Sequence, residues 1–310
     1  MNFFNDTTLA PASLSLFNRK LNEWLSYMPK TQQHITQIFQ FPDYSTKILI
    51  DSLIIKSNSN IHTFYTSILA ILNHCSQYTS HLTTIQLEEL KKQWRELLKT
   101  NLKPYEERRS NSLPTELQLQ KGGTFIKYED ILKKRDSLPI GSIERLLLGF
   151  YTHIPPVRAD YFATEIVTFK QKPTELNYIR RISPDISEVI LKDFKTKSSY
   201  KQIKNSLPSE LNADLVESLR IKPRKYLFVN QTGQPFIRSG FAIWAGRILS
   251  RLFETEFPLT ILRHLYINSL KLDERTAKEI TDISSKMGHD ILTHLKYRWD
   301  LSKVKANEED

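Results

Sequence analysis

Apolar positions recur at helical spacing through the first hundred residues. In 13–28, Leu14, Phe17, Leu21, Trp24, Leu25 and Met28 fall on one face of a 3.6-residue period. Ser13 or Ser15 can cap this helix and Pro29 stops it. A second period covers 45–56 and is broken by SNSN at 57–60. A third, over 61–76, sets Ile61, Phe64, Tyr65, Ile68, Leu69 and Leu72 on one side. A fourth, over 83–100, carries Leu87, Leu90, Trp94, Leu97 and Leu98, with lysines and Arg95 filling its other face. Four amphipathic helices of this length can bury a core of their own, which predicts a helical domain over 1–104.

The pattern then changes. The stretch 101–123 holds two prolines, two adjacent glycines and mixed charge, and reads as a linker over 105–123. A second domain is expected over 124–310. YEDILKKRDSL has a helical pattern, and Ser142 can cap the apolar helix SIERLLLGFYTHI, which Pro155 and Pro156 end. Residues 176–182, 187–194 and 200–207 read as three short strands, the last two joined by KTKSS as a hairpin. A helix follows over 209–220, then a turn at Gly233, then a long helix capped by Ser239. The expected fold is mainly α with a small antiparallel β-sheet in the second domain.

Charge narrows the partners. Lys and Arg exceed Asp and Glu to give a net charge of +10 and a pI near 9.4, which favours an anionic partner. Only eight glycines occur, and neither GxxxxGK[ST] nor GxGxxG is present, which argues against a glycine-rich nucleotide cradle. Cys75 is the single cysteine, so an intrachain disulfide and a cysteine-based zinc cluster are excluded. MNFFNDTTLAPASL lacks the charged start and apolar run of a signal peptide, and no run of about 18 apolar residues predicts a membrane span. Cytoplasm or nucleus is the expected compartment.

Candidate chemistry concentrates in 258–300, which reads PLTILRHLYINSL, KLDERTAKEITDISSK, MGHDILTHLKYRWD. Arg263 lies within an apolar helix, where an unpaired charge is costly, so it is either one half of a buried ion pair or a functional cation. His264 beside it is either a packed core histidine or part of a site. His289 follows Gly288, where a helix-capping histidine is the plain alternative. Tyr297 lies beyond Asp290, which can cap a short last helix. Tyr266 is three residues after Arg263, a spacing that fits core packing. Upstream, Arg158 directly follows the Pro-Pro break. Arginine suits phosphate because its planar fork binds two oxygens and stays charged. A phenol can attack phosphorus, and a lysine can protonate the leaving oxygen.

This ordered set resembles the tyrosine recombinases and integrases. IPPVRADY matches the first arginine box and gives Arg158. FKTKSS matches the lysine turn and gives Lys195, with Lys197 as the alternative. LTILRH matches the second box and gives Arg263 and His264. MGHD gives His289, and LKYRWD gives Tyr297. The phrasing is most similar to integrases of large DNA viruses of protists and virophages. In motif the resemblance covers about 140–300, and residues 1–105 match only as a helical core-binding domain. It implies site-specific cutting and rejoining of double-stranded DNA through a 3′-phosphotyrosine. It also implies a homo-tetramer on paired sites and no metal or nucleotide cofactor. The alternatives are a type IB topoisomerase or a decayed DNA-binding protein on the same fold. Two departures stand out. Thr260 occupies the place of the family's second-box histidine, and the spacing from His289 to Tyr297 is short.

Overall fold

The computed structural model describes residues 1–4, 9–53 and 58–306, which divide into two compact units, Met1–Arg108 and Arg109–Asp310. In the first unit the four expected helices form as α1 (Pro11–Tyr27), α3 (Pro42–Ser52), α4 (Asn58–His74) and α6 (Thr84–Ser110), and two unexpected short helices, α2 (Ile35–Gln40) and α5 (Ser76–Thr79), lie between them. Residues 54–56 of the second expected helix lie outside the described residues. The break expected at 57–60 is partly overturned, because Asn58–Asn60 already belong to α4. Trp24 and Trp94, both fully buried, pack edge to face at 5.7 Å, and Phe64 and Tyr65 close around them. Each indole N–H donates to a carbonyl, Trp24 to Ser45 and Trp94 to Phe39, so the rings are buried without an unsatisfied polar atom.

The stretch read as a linker is more ordered than its composition implies. α6 continues through Pro104 to Ser110. α7 (Glu116–Leu119) then opens on a reciprocal capping box between Thr115 and Gln118, and a 3₁₀ turn follows at Gly122–Phe125.

The second unit is built on α8 (Tyr128–Ser137) and α9 (Ile143–Thr152), the latter capped by Ser142 as expected. A four-stranded sheet follows: β1 (Glu165–Thr168), β2 (Asn177–Arg181), β3 (Ser187–Leu191) and β4 (Ile203–Ser206). Its order is β1-β2-β3-β4. β2–β3 and β3–β4 are antiparallel, but β1 pairs parallel with β2, so the sheet is mixed rather than antiparallel. β1 escaped the sequence reading because only four residues pair and only two of them are buried. Between β3 and β4 the chain makes a helical turn, α10 (Lys197–Tyr200), instead of a tight hairpin. α11 (Ser209–Ile221) and α12 (Arg238–Phe253) come next, with Gly233 at φ +77° in the turn between them. α12 starts at Arg238 and places Ser239 inside its first turn, so that serine is not the cap. The chain ends in α13 (Leu259–Ser269), α14 (Ala277–Lys286), α15 (Ile291–Leu295) and α16 (Ser302–Ala306).

The core of this unit packs α8, α9, α11, α12 and α13 with one face of the sheet, through residues such as Leu147, Phe150, Tyr161, Ile179, Phe228 and Leu262. Asp214 is buried between Arg135 at 3.0 Å and Arg145 at 2.8 Å and ties α11 to α8 and α9. No described helix is long and apolar enough to cross a membrane.

Candidate active site

Arg263 sits in the middle of α13 and is 1% exposed. No carboxylate pairs with it among the described residues. Its Nη1 donates to the carbonyls of Pro156 at 3.0 Å and Met287 at 3.3 Å, and its Nη2 donates to His289 Nδ1 at 2.7 Å. The Pro-Pro break and the Gly-His element are thus joined through one guanidinium. Burial lowers the Arg263 pKa, and Arg158 adds to the effect, yet an arginine remains charged. The charge is held by neutral acceptors, which leaves it free to attract an anion.

The protons on the histidines follow from this. Because Arg263 donates to Nδ1, His289 carries its hydrogen on Nε2, which donates to His294 Nδ1 at 3.0 Å. His294 then carries its own hydrogen on Nε2, which has no partner among the described residues. Burial, the Arg263 charge, His294 and Arg158 push the His289 pKa down to about 2. Burial and Arg263 push that of His294 down to about 4. Both rings are neutral near pH 7.

Gly288 shapes the approach to His289. It has φ +72°, a backbone region that an L side chain enters at a cost, and an added Cβ would lie 2.9 Å from Ile203 Cδ1. Its carbonyl accepts from Thr196 Oγ1 at 2.5 Å, which ties the turn after β3 to this element.

Asp290 caps α15 by accepting from Thr293 N, and Tyr297 lies two residues past that helix. The short spacing from His289 is absorbed because Tyr297 sits in a turn and not on the helix. Its ring stacks on His289 at 5.3 Å and lies 4.9 Å from the Arg263 guanidinium carbon. Burial alone pushes the Tyr297 phenol up. The charges of Arg263 and Arg158 outweigh burial and hold it below its ordinary value. A phenol under the charges of two guanidiniums is biased toward phenolate, the nucleophilic form.

His264 faces a different partner. Its Nδ1 donates to the Tyr297 carbonyl at 2.8 Å, its ring stacks on Trp299 at 3.8 Å, and Gln118 approaches Nε2 at 3.5 Å. Burial is the main cause of a pKa pushed down to about 3, with Arg263 and Arg109 adding to it. This geometry suits holding the Tyr297 backbone.

Arg158 is half-buried. Its carbonyl accepts from Tyr151 Oη at 2.6 Å, and its charge acts on the buried Asp160 carboxylate. Lys195 is exposed on the turn after β3 and makes no hydrogen bond or ion pair among the described residues, whereas Lys197 is tied to Asp193 at 2.8 Å. Tyr266 packs edge to face on Tyr128 at 6.0 Å, in keeping with a core role, and Thr260 is exposed on the first turn of α13.

Arg158, Arg263, His289 and Tyr297 therefore converge, with His264 behind the tyrosine and Lys195 on a neighbouring turn. Sequence reasoning assigned neither His294 nor Gln118 a role in the site. His294 stands one helical turn before Tyr297, with nothing in its spacing to say that it meets His289. Gln118 lies in the segment read as linker.

No protein-family model matches the sequence, and no curated protein matches it. Similar solved structures include the XerA recombinase, at 12% identity over 94% of this chain and 98% of that one, with a TM-score of 0.41. The XerH site-specific recombinase bound to its difH substrate, in a pre-cleavage complex, is similar at 14% identity over 99% of each chain, with a TM-score of 0.41. The Tn1549 transposon integrase in complex with transposon right-end DNA is similar at 15% identity over 89% of this chain and 98% of that one, with a TM-score of 0.37.

Proposed function

We propose that this chain cuts and rejoins double-stranded DNA at specific sites, with Tyr297 forming a covalent 3′-phosphotyrosine. The observation that carries this reading is the Tyr297 ring set 4.9 Å from the Arg263 guanidinium carbon and stacked on His289, where the charges of Arg263 and Arg158 lower the phenol pKa. A phosphodiester resists attack because it is anionic and its alkoxide leaves poorly. Two guanidiniums neutralise the non-bridging oxygens as charge builds in the transition state. The phenol oxygen forms a bond to phosphorus as its proton leaves to solvent. The P–O5′ bond breaks, its electron pair goes to O5′, and that oxygen takes a proton from Lys195. A 5′ hydroxyl from a second strand reverses the sequence, and the phosphoester energy is retained throughout. His289 holds Arg263, and His264 holds the Tyr297 backbone.

The net charge of +10 supports a DNA partner, bound mainly through phosphates and with an affinity that falls as salt rises. A homo-tetramer on two sites is the assembly that strand exchange needs. The motif phrasing favours an integrase of a large DNA virus or virophage.

A nicked duplex carrying the target site, in which the cleaved end cannot be rejoined, tests the reaction. Covalent protein–DNA product should accumulate, with or without a chelator. Tyr297→Phe should abolish it and leave binding unchanged, since only the hydroxyl is removed. Adduct formed by Tyr297→Phe would identify another nucleophile. Salt-sensitive binding by the natural chain with no adduct would favour a non-enzymatic DNA-binding protein, the reading that Thr260 keeps open. Supercoil relaxation without recombinant product would favour a type IB topoisomerase.

A further inference from the structure

A buried amide outside the motif residues joins the two segments that carry Arg158 and Lys195. Asn177 opens β2 and is 2% exposed. Its Nδ2 donates to the carbonyls of Asp160 and Asp193, each at 2.9 Å. Its Oδ1 accepts from Lys192 N at 2.9 Å and Asp193 N at 2.8 Å. A carboxamide has two hydrogens and two lone pairs, and all four are engaged. Asp160 lies two residues after Arg158, and Asp193 lies two residues before Lys195.

Arg238, at the start of α12, bridges the same pair from the other side. Its Nη2 donates to the Asp193 carbonyl at 3.2 Å, and its Nε lies 3.4 Å from the Asp160 carboxylate. Its guanidinium rests on the Phe162 ring at 5.0 Å. Beyond Lys195, Thr196 is fixed to the Gly288 carbonyl. The backbone on both sides of Lys195 is therefore anchored, while its ammonium has no bond among the described residues. This arrangement holds the base of a side chain and leaves its tip available.

We propose that Asn177 and Arg238 are positioning residues that register the Lys195 turn against the Arg158 loop, so that Lys195 reaches the leaving oxygen of the phosphate held by Arg158. This rests on the strand-exchange reading above. A loose turn would leave phosphate binding and the nucleophile in place and would impair proton delivery to O5′. The defect is therefore chemically distinctive.

The test replaces the bridging 5′ oxygen of the nicked duplex with sulfur. A thiolate leaves without protonation, because a thiol is far more acidic than an alcohol. On the ordinary duplex, Asn177→Asp, which keeps the acceptor and loses both donors, should slow adduct formation at least about tenfold, the scale of impaired general-acid catalysis. On the sulfur duplex its rate should return to near that of the natural chain, as for Lys195→Ala. Arg158→Ala should stay slow on both. Should Asn177→Asp fail to fold, Arg238→Ala carries the same comparison, since Arg238 is partly exposed at the start of its helix. A folded variant that cleaves the ordinary duplex at the natural rate would overturn the proposal. So would one that stays equally slow on the sulfur duplex. No adduct from the natural chain on either duplex would instead overturn the strand-exchange reading itself.

Discussion

Mild acid should loosen the site before the carboxylates titrate. His264, His289 and His294 are held neutral, with pKa values pushed to about 3, 2 and 4, mainly by burial and by the Arg263 charge. The folded values lie below the ordinary histidine value near 6.5, so the unfolded chain binds more protons as pH falls. The stability these groups contribute is full above about pH 6.5 and is lost as pH drops toward the folded values. Between pH 7 and 5 each histidine costs about 2 kcal/mol by linkage, or about 5 to 6 kcal/mol for three. That is comparable to the whole stability of a typical domain, roughly 5–15 kcal/mol. His153 is also depressed, chiefly by burial, and shifts the result in the same direction. Urea unfolding at pH 7, 6 and 5, followed through Trp299 and Trp244 fluorescence, gives the slope. Replacing one titrating ring, as in His294→Gln, should remove about a third of it. A second unit equally stable at pH 7 and 5, or a slope unchanged in His294→Gln, would refute the assignment of neutral, proton-excluding histidines.

Two further substitutions probe the same cluster. Gly288→Ala puts a Cβ into backbone at φ +72° and 2.9 Å from Ile203 Cδ1. It should cost about 1–2 kcal/mol from the backbone alone, lower the melting temperature and slow adduct formation by shifting His289, all readable by calorimetry and gel assay. His294→Leu removes the acceptor for His289 Nε2–H and should destabilise by about 1–3 kcal/mol in urea titrations. It should slow cleavage with little change in DNA affinity, because Arg158 and Arg263 remain.

Local pattern carried α1, α3, α4 and α6 of the first unit, α8, α9, α11, α12 and α13 of the second, the Ser142 and Asp290 caps and the turn at Gly233, because each depends on residues a few positions apart. It also carried the order of Arg158, Lys195, Arg263, His289 and Tyr297 along the chain. A buried arginine in an apolar helix announced that something must satisfy it. What satisfied it was decided by packing: carbonyls and a histidine drawn from 24 to 107 residues away, and no carboxylate among the described residues. The same holds for His264 facing a backbone carbonyl, for His294 behind His289, and for Asn177 between two loops. The parallel pairing of β1 was equally out of reach, since a four-residue strand carries too little period to read. Periodicity is written over neighbours, whereas a buried polar group takes whichever partner the tertiary fold brings within about 3 Å.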